Sequence, residues 1–173
     1  MRTDVDKALG ALRMAIRVEQ NGYRFYQRAA REAQDPDAKE LFGGLAEDEI
    51  AHERILRARL ERLEQDGVWL PVGEEEWPDD GLAEVSPPIF SPEGVSKVVH
   101  DYTSELSALR MAFLIEKNAV AFYTKAARET DDPVGAAMYQ DLADWEREHQ
   151  GMLEQEYRFL ADRFKLDMGF APF

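Results

Sequence analysis

Apolar residues recur at spacings of three and four along two stretches of the chain. Leu9, Leu12, Ile16, Tyr23, Tyr26 and Ala30 form one stripe, and Leu106, Leu109, Phe113, Val120, Tyr123 and Ala127 form another. This period is that of a helix with one buried face, so each stretch is predicted to be a long amphipathic helix. Each is followed by an acid directly before a proline, Asp35-Pro36 and Asp132-Pro133. The acid can accept from the unpaired N–H groups of a new helix, and proline at the first helical position has no N–H to leave unsatisfied. A second helix is therefore predicted after each pair, with Leu41, Leu45, Leu56 and Leu63 along one and Met138, Leu142, Leu153 and Leu160 along the other. Two helical hairpins result, and helices of roughly 30 residues would each be about 45 Å long.

The hairpins are copies of one unit. Adding 97 to the residue number maps positions 9–56 onto 106–153 without a gap, and 21 of those 48 positions are identical. Two copies are too few for a solenoid, which needs about three or more stacked units, so the predicted geometry is two similar halves packed face to face. The segment between them changes character: Gly67, Pro71, Gly73, Pro78, Gly81, Pro87 and Pro88 interrupt a run of acids. The whole chain is read as one domain, with a helical hairpin over 4–65, a crossover connector over 66–91, a second hairpin over 92–163 and an apolar tail over 164–173. Val68, Trp69, Leu70, Ile89 and Phe90 suggest that the connector lies against the bundle, and Ser91-Pro92-Glu93 reads as the start of the third helix. The tail is read as covering a bundle end or a neighbouring subunit, as in a homodimer or larger homo-oligomer.

Composition removes several chemistries. The 173 residues contain no cysteine, so disulfides, thiolate zinc sites, cysteine-ligated iron–sulfur centres and cysteine nucleophiles are all excluded. Any metal must be held by oxygen and imidazole. A net charge of −14 repels phosphate backbones and disfavours nucleic acid, but it leaves room for cations at a local acidic site. Charges spread along the whole length argue against a membrane span of roughly 20 apolar residues. The acids Asp4 and Asp6 stand where a signal peptide needs an apolar run, so a cytoplasmic location is expected.

Six residues on the core stripes are polar where a bundle wants leucine. Glu19 and Glu116 lie on the first and third helices, and Glu49 with His52 and Glu146 with His149 lie on the second and fourth. A glutamate and a histidine three apart on a helix point to nearly the same place. Burying four carboxylates with no cation among them would cost several kcal/mol per ion or force most of them to protonate. Two divalent cations would cancel that charge. One Glu from each of two helices plus Glu-x-x-His from each of the other two is the di-metal carboxylate arrangement of ferritin-like bundles. The rival reading is an inert bundle in which the six form a hydrogen-bonded polar layer. Four carboxylates with one imidazole per metal suit iron first and manganese second. By symmetry Glu49 and Glu146 are the expected bridges between ions about 3.5–4 Å apart, with Glu19 and Glu116 terminal. Tyr26 and Tyr123, seven residues past Glu19 and Glu116, sit where a phenol either packs in the core or serves the site by hydrogen bonding a ligand or carrying an electron. His100, whose repeat partner is Thr3, is read as a surface residue.

At these residues the chain resembles the rubrerythrin and erythrin family of the ferritin-like superfamily. Glu19-Gln20-Asn21-Gly22-Tyr23-Arg24-Phe25-Tyr26 and Leu45-Ala46-Glu47-Asp48-Glu49-Ile50-Ala51-His52-Glu53 are similar to its first two ligand helices, and Leu142-Ala143-Asp144-Trp145-Glu146-Arg147-Glu148-His149 to its fourth. The resemblance implies an all-α, ferritin-like four-helix bundle of two repeated hairpins with a di-iron site. It further implies oxidation of a ferrous pair by hydrogen peroxide or dioxygen, in peroxide defence or iron handling. Rubrerythrins proper also carry a four-cysteine iron centre, so here electrons would come from a separate donor. Their third helix bears a further glutamate one turn after the first; Ala119 stands there instead, mirrored by Gly22. That substitution weakens the case for specialised peroxidase activity and leaves slower ferroxidase or oxidase chemistry open. Iron storage or delivery, and hydroxylation of an organic substrate, are the alternative functions.

Overall fold

The computed structural model describes residues 2–67, 69 and 102–167, and these form four helices: α1 (Arg2–Glu32), α2 (Pro36–Asp66), α3 (Tyr102–Glu129) and α4 (Pro133–Asp167). The two Asp-Pro breaks work as the sequence predicts. Asp35 accepts at Oδ1 from the N–H groups of Asp37 and Ala38 at 3.0 and 3.2 Å, ahead of Pro36. Asp132 does the same for Val134 and Gly135 at 2.8 and 3.2 Å, ahead of Pro133. Helix α2 stops at Gly67, whose φ of 67° lets its N–H return to the carbonyl of Leu63 at 3.1 Å. Helix α4 continues to Asp167, so residues 164–167 of the expected tail are the last turn of that helix. No glycine or proline stands between Gly151 and Gly169 to stop it earlier. The rest of the tail, His100, the Ser91-Pro92-Glu93 start and the connector apart from Asp66, Gly67 and Trp69 lie outside the described residues.

Each helix packs along its hairpin partner, and the hairpins meet through α1 against α3 and α2 against α4. Tyr26 of α1 reaches Glu116 of α3 while Tyr123 of α3 reaches Glu19 of α1, which makes those two helices antiparallel. Asp48 meets His149 and His52 meets Trp145, so α2 and α4 are antiparallel as well. The end of α2 and the start of α3 therefore lie at opposite ends of the bundle, the arrangement that a crossover connection requires. No helix among the described residues is long and apolar enough to cross a membrane.

The core is split into two apolar clusters, each drawn from all four helices. One contains Leu12, Leu56, Leu63, Tyr123 and Leu142, with Trp69 packed edge-on against Tyr139. The other contains Tyr26, Phe42, Leu45, Leu109, Leu153 and Leu160. Adding 97 carries Leu12, Leu56 and Leu63 of the first into Leu109, Leu153 and Leu160 of the second, so the sequence repeat is a twofold relation in space. Between the clusters lies the polar layer.

Candidate metal centre

All six sequence-predicted residues come together in that layer. Glu19, Glu49, His52, Glu116, Glu146 and His149 are all buried, and Glu19 and Glu116 are completely removed from solvent. They form two overlapping groups. Glu19, Glu49, His52 and Glu146 each offer a donor atom within 4.8 Å of the others, and so do Glu49, Glu116, Glu146 and His149. Glu49 and Glu146 belong to both groups, which is the position that symmetry assigns to bridging carboxylates.

Both histidines turn Nδ1 inward. His52 Nδ1 lies 3.1 Å from Glu19 Oε2 and 3.3 Å from Glu146 Oε1, and His149 Nδ1 lies 2.9 Å from Glu146 Oε2. The two tyrosines reach across the bundle. The Tyr26 hydroxyl donates to Glu116 and the Tyr123 hydroxyl donates to Glu19, so each phenol holds the single glutamate of the opposite half. The phenols also pack in the apolar clusters, Tyr123 in the first and Tyr26 in the second.

Charge is unbalanced in this layer. Burial, then the charge and hydrogen bond of Glu19, push the Glu49 carboxyl well above the ordinary carboxylate range. Burial, followed by the hydrogen bond and charge of Glu146, pushes Glu116 up to about 10, with the Tyr26 bond working the other way. For His52 burial alone would lower the pKa; hydrogen bonds to Glu146 and Glu19 and their charges outweigh it and raise the value to about 10. Burial would likewise raise Glu146, but hydrogen bonds with His149 and His52 hold it well below the usual range. Burial and nearby carboxylate charge raise both Tyr26 and Tyr123, which keeps them as neutral hydrogen-bond donors. Without a cation, then, the layer is held together by retained protons.

The residues fit a pair of divalent cations. Glu116 Oε2 is buried without a conventional hydrogen-bond partner among the described residues; protonated or not, it is a carboxyl oxygen that the layer's own side chains leave over and that a cation could use. Glu49 presses on the backbone of α1: a Cβ at Gly22 would stand 2.6 Å from its carboxyl carbon and from one of its oxygens. The chain thus leaves out a methyl group where the shared carboxylate lies.

Two neighbours of the site escaped sequence reasoning. Asp48 Oδ2 lies 3.4 Å from His149 Nε2, and the Trp145 ring stacks on His52 with centroids 5.1 Å apart and planes 10° from parallel. They are repeat counterparts of unlike chemistry, and the signal that could have found them is a break in the repeat four residues before each histidine.

A family model described as a ferritin-like domain matches residues 7–157. Among solved structures, a hypothetical protein from Pyrococcus furiosus is similar, with 28% identity, a TM-score of 0.63 and 90% of each chain covered. No curated protein matches. A match over so much of the chain, joined to this bundle and its carboxylate–imidazole layer, shows that the protein belongs to the ferritin-like domain family.

Proposed function

We propose that the chain is a di-metal oxidoreductase of the rubrerythrin-like kind, with Glu19, Glu49, His52, Glu116, Glu146 and His149 as ligands to two iron ions, or manganese in their place. The observation that carries this reading is the pair of overlapping donor groups that share Glu49 and Glu146. A bound ferrous pair would supply the two electrons that reduce hydrogen peroxide to water, or would pass electrons to dioxygen. The chain's own residues do the rest. The two Glu-x-x-His pairs fix donor positions from α2 and α4, while Tyr26 and Tyr123 orient the single glutamates from α3 and α1. The apolar clusters on either side keep the layer dry, which strengthens every charge interaction within it. With no cysteine in these 173 residues to ligate a second iron centre, electrons for repeated turnover are assigned to a separate donor.

An anaerobic Fe(II) titration followed by separate additions of peroxide and dioxygen tests the reading. The expected result is saturation at two ions per chain, an absorbance change with at least one oxidant, and sustained peroxide or dioxygen consumption when a reductant is added. Saturation at two with no turnover would leave a binding protein and overturn the enzymatic reading. Retention of many irons per chain after aerobic addition would replace it with storage, and no binding would return the layer to an inert role.

A further inference from the structure

The sequence repeat makes each half of the centre a control for the other. One position is built by Glu19 and His52, the other by Glu116 and His149, and both use Glu49 and Glu146. Each single glutamate accepts from a tyrosine of the opposite half. The difference between the positions lies behind the imidazoles. Residues 48 and 145 each precede their own helix's histidine by four, and each crosses the α2–α4 seam to meet the other helix's histidine. Asp48 brings a carboxylate oxygen to within 3.4 Å of the outer nitrogen of His149. Trp145 brings an indole face onto His52.

These two neighbours do different things to a ligand. A carboxylate close to Nε2 favours the tautomer that carries its proton there, which leaves the Nδ1 lone pair facing inward and makes that nitrogen a better donor; Asp48 supplies this as a charge contact from a half-exposed side chain, short of a formed hydrogen bond. An indole has an N–H to give but no acceptor, so stacking fixes the His52 ring without taking its proton. Glu53, the buried acid next to His52 in sequence, is turned elsewhere: its Oε1 accepts from Gln20 at 2.8 Å and pairs with Arg57 at 2.6 Å, while the ion pairs of His52 are with Glu19 and Glu146. Its repeat counterpart is Gln150.

We infer that the two metal positions are inequivalent and fill in order, the Glu116–His149 position first, with Asp48 as its positioning residue and Trp145 marking the weaker Glu19–His52 position. This rests on the di-metal reading above. The test is a titration of the metal-stripped full-length chain with Co(II), following visible absorbance, with far-UV circular dichroism confirming that each variant is folded. The native chain is expected to bind in two steps at least about tenfold apart. Asp48→Ala should weaken the first step by about 10- to 100-fold, the usual cost of losing an outer partner of a ligating histidine, and Asp48→Asn should restore part of it. Trp145→Asp, which writes the stronger half's residue into the weaker one, should tighten the second step. Glu116→Ala should remove the tight step and Glu19→Ala the weak one. Two equal steps in the native chain, or an Asp48→Ala variant that keeps the native separation, would overturn the inference while leaving the di-metal reading standing. A native chain that binds no Co(II) at either step would overturn both.

Discussion

The first and second hairpins agree at the polar layer and in much of the apolar packing beside it, and differ at neighbouring positions where each half makes a contact of its own. Glu19, Tyr26, Glu49 and His52 reappear as Glu116, Tyr123, Glu146 and His149, and Leu12, Leu45 and Leu56 as Leu109, Leu142 and Leu153. Every one of these is buried in the shared layer or in the cluster beside it. Three of the many disagreements lie within two turns of that layer: Gly22 against Ala119, Asp48 against Trp145, Phe42 against Tyr139. A twofold centre constrains only what both halves must supply to it. Each departure gives one half a contact the other lacks, so copying residues between halves is the direct way to ask what each departure does.

The largest effect should come from the residues that the comparison treats as shared. Glu49→Ala and Glu146→Ala each remove a donor from both groups. Either is expected to reduce bound metal from two ions per chain to fewer than one at micromolar concentrations, a loss greater than the 10- to 100-fold cost of an outer-shell change. Metal analysis after gel filtration checks this, and a Glu49→Ala variant that still holds two ions would remove that residue from its bridging position. The metal-free Glu49→Ala fold should survive, since that change relieves the layer of a buried carboxyl, whereas Glu146→Ala also removes the partner of His52 and His149 and should cost stability.

Protons should compete with metal in a direction that the geometry sets. In the metal-free layer His52 and Glu116 hold protons up to about pH 10, against ordinary values of 6.5 and 4.5. Both folded values are raised, so the stability these groups contribute is full below their unfolded values and is lost as pH rises towards 10. Glu146 is shifted the other way; its contribution is present above about 4.5 and is lost as pH falls below that. Metal-free protein should therefore melt lower at pH 8 than at pH 6. Cations must displace at least these two protons, so the overall constant for loading both positions should rise about 100-fold per pH unit near neutrality. Titrations with Mn(II) at pH 6 and 7 check the slope, and an affinity independent of pH would mean that the layer is already deprotonated.

The fold was legible because its rules are local and repeated. Apolar spacing, two Asp-Pro breaks and a 97-residue shift are each visible in a single chain, and together they specify two hairpins that need one another to bury a face. The six inward polar residues were legible for the same reason: they break the apolar stripe and obey the repeat. What was not legible were residues whose role depends on a neighbouring helix. Nothing in Asp48 or Trp145 announces a contact with a histidine on the opposing helix, and sequence spacing cannot say which of α2 and α3 lies beside α4. Gly22 was visible as the mirror of Ala119, but its use follows only from where the Glu49 carboxylate lies.

Gly22→Ala separates folding from metal binding. Alanine in a helix interior is favoured over glycine by about 0.5–1 kcal/mol. The atoms that a new Cβ would meet, at 2.6 to 2.9 Å, are the far end of the Glu49 side chain, which can swing away in metal-free protein. The metal-free melting temperature should hold or rise slightly, while affinity for two ions falls by about tenfold or more as the shared carboxylate leaves its place. Ala119→Gly is the converse control: it should cost the helix about 0.5–1 kcal/mol and leave metal affinity unchanged. A drop in both stability and affinity for Gly22→Ala would mean that the α1 backbone moves rather than Glu49.

The smallest effect is expected where the second half carries a polar atom that the first does without. Phe42 and Tyr139 are repeat counterparts, each stacked on the tyrosine that serves the site, Tyr26 at 6.2 Å and Tyr123 at 6.3 Å. The Tyr139 hydroxyl is buried with no hydrogen-bond partner among the described residues, and burial raises its pKa. A buried donor without an acceptor costs about 1–3 kcal/mol, whereas an apolar group of the same shape costs nothing comparable. Tyr139→Phe makes the second half like the first. It should raise stability by about 1 kcal/mol in urea denaturation and leave two-ion loading unchanged. A loss of stability instead would show that the hydroxyl makes a favourable contact in solution, and the two halves would then differ in what this ring contributes as well as in its identity.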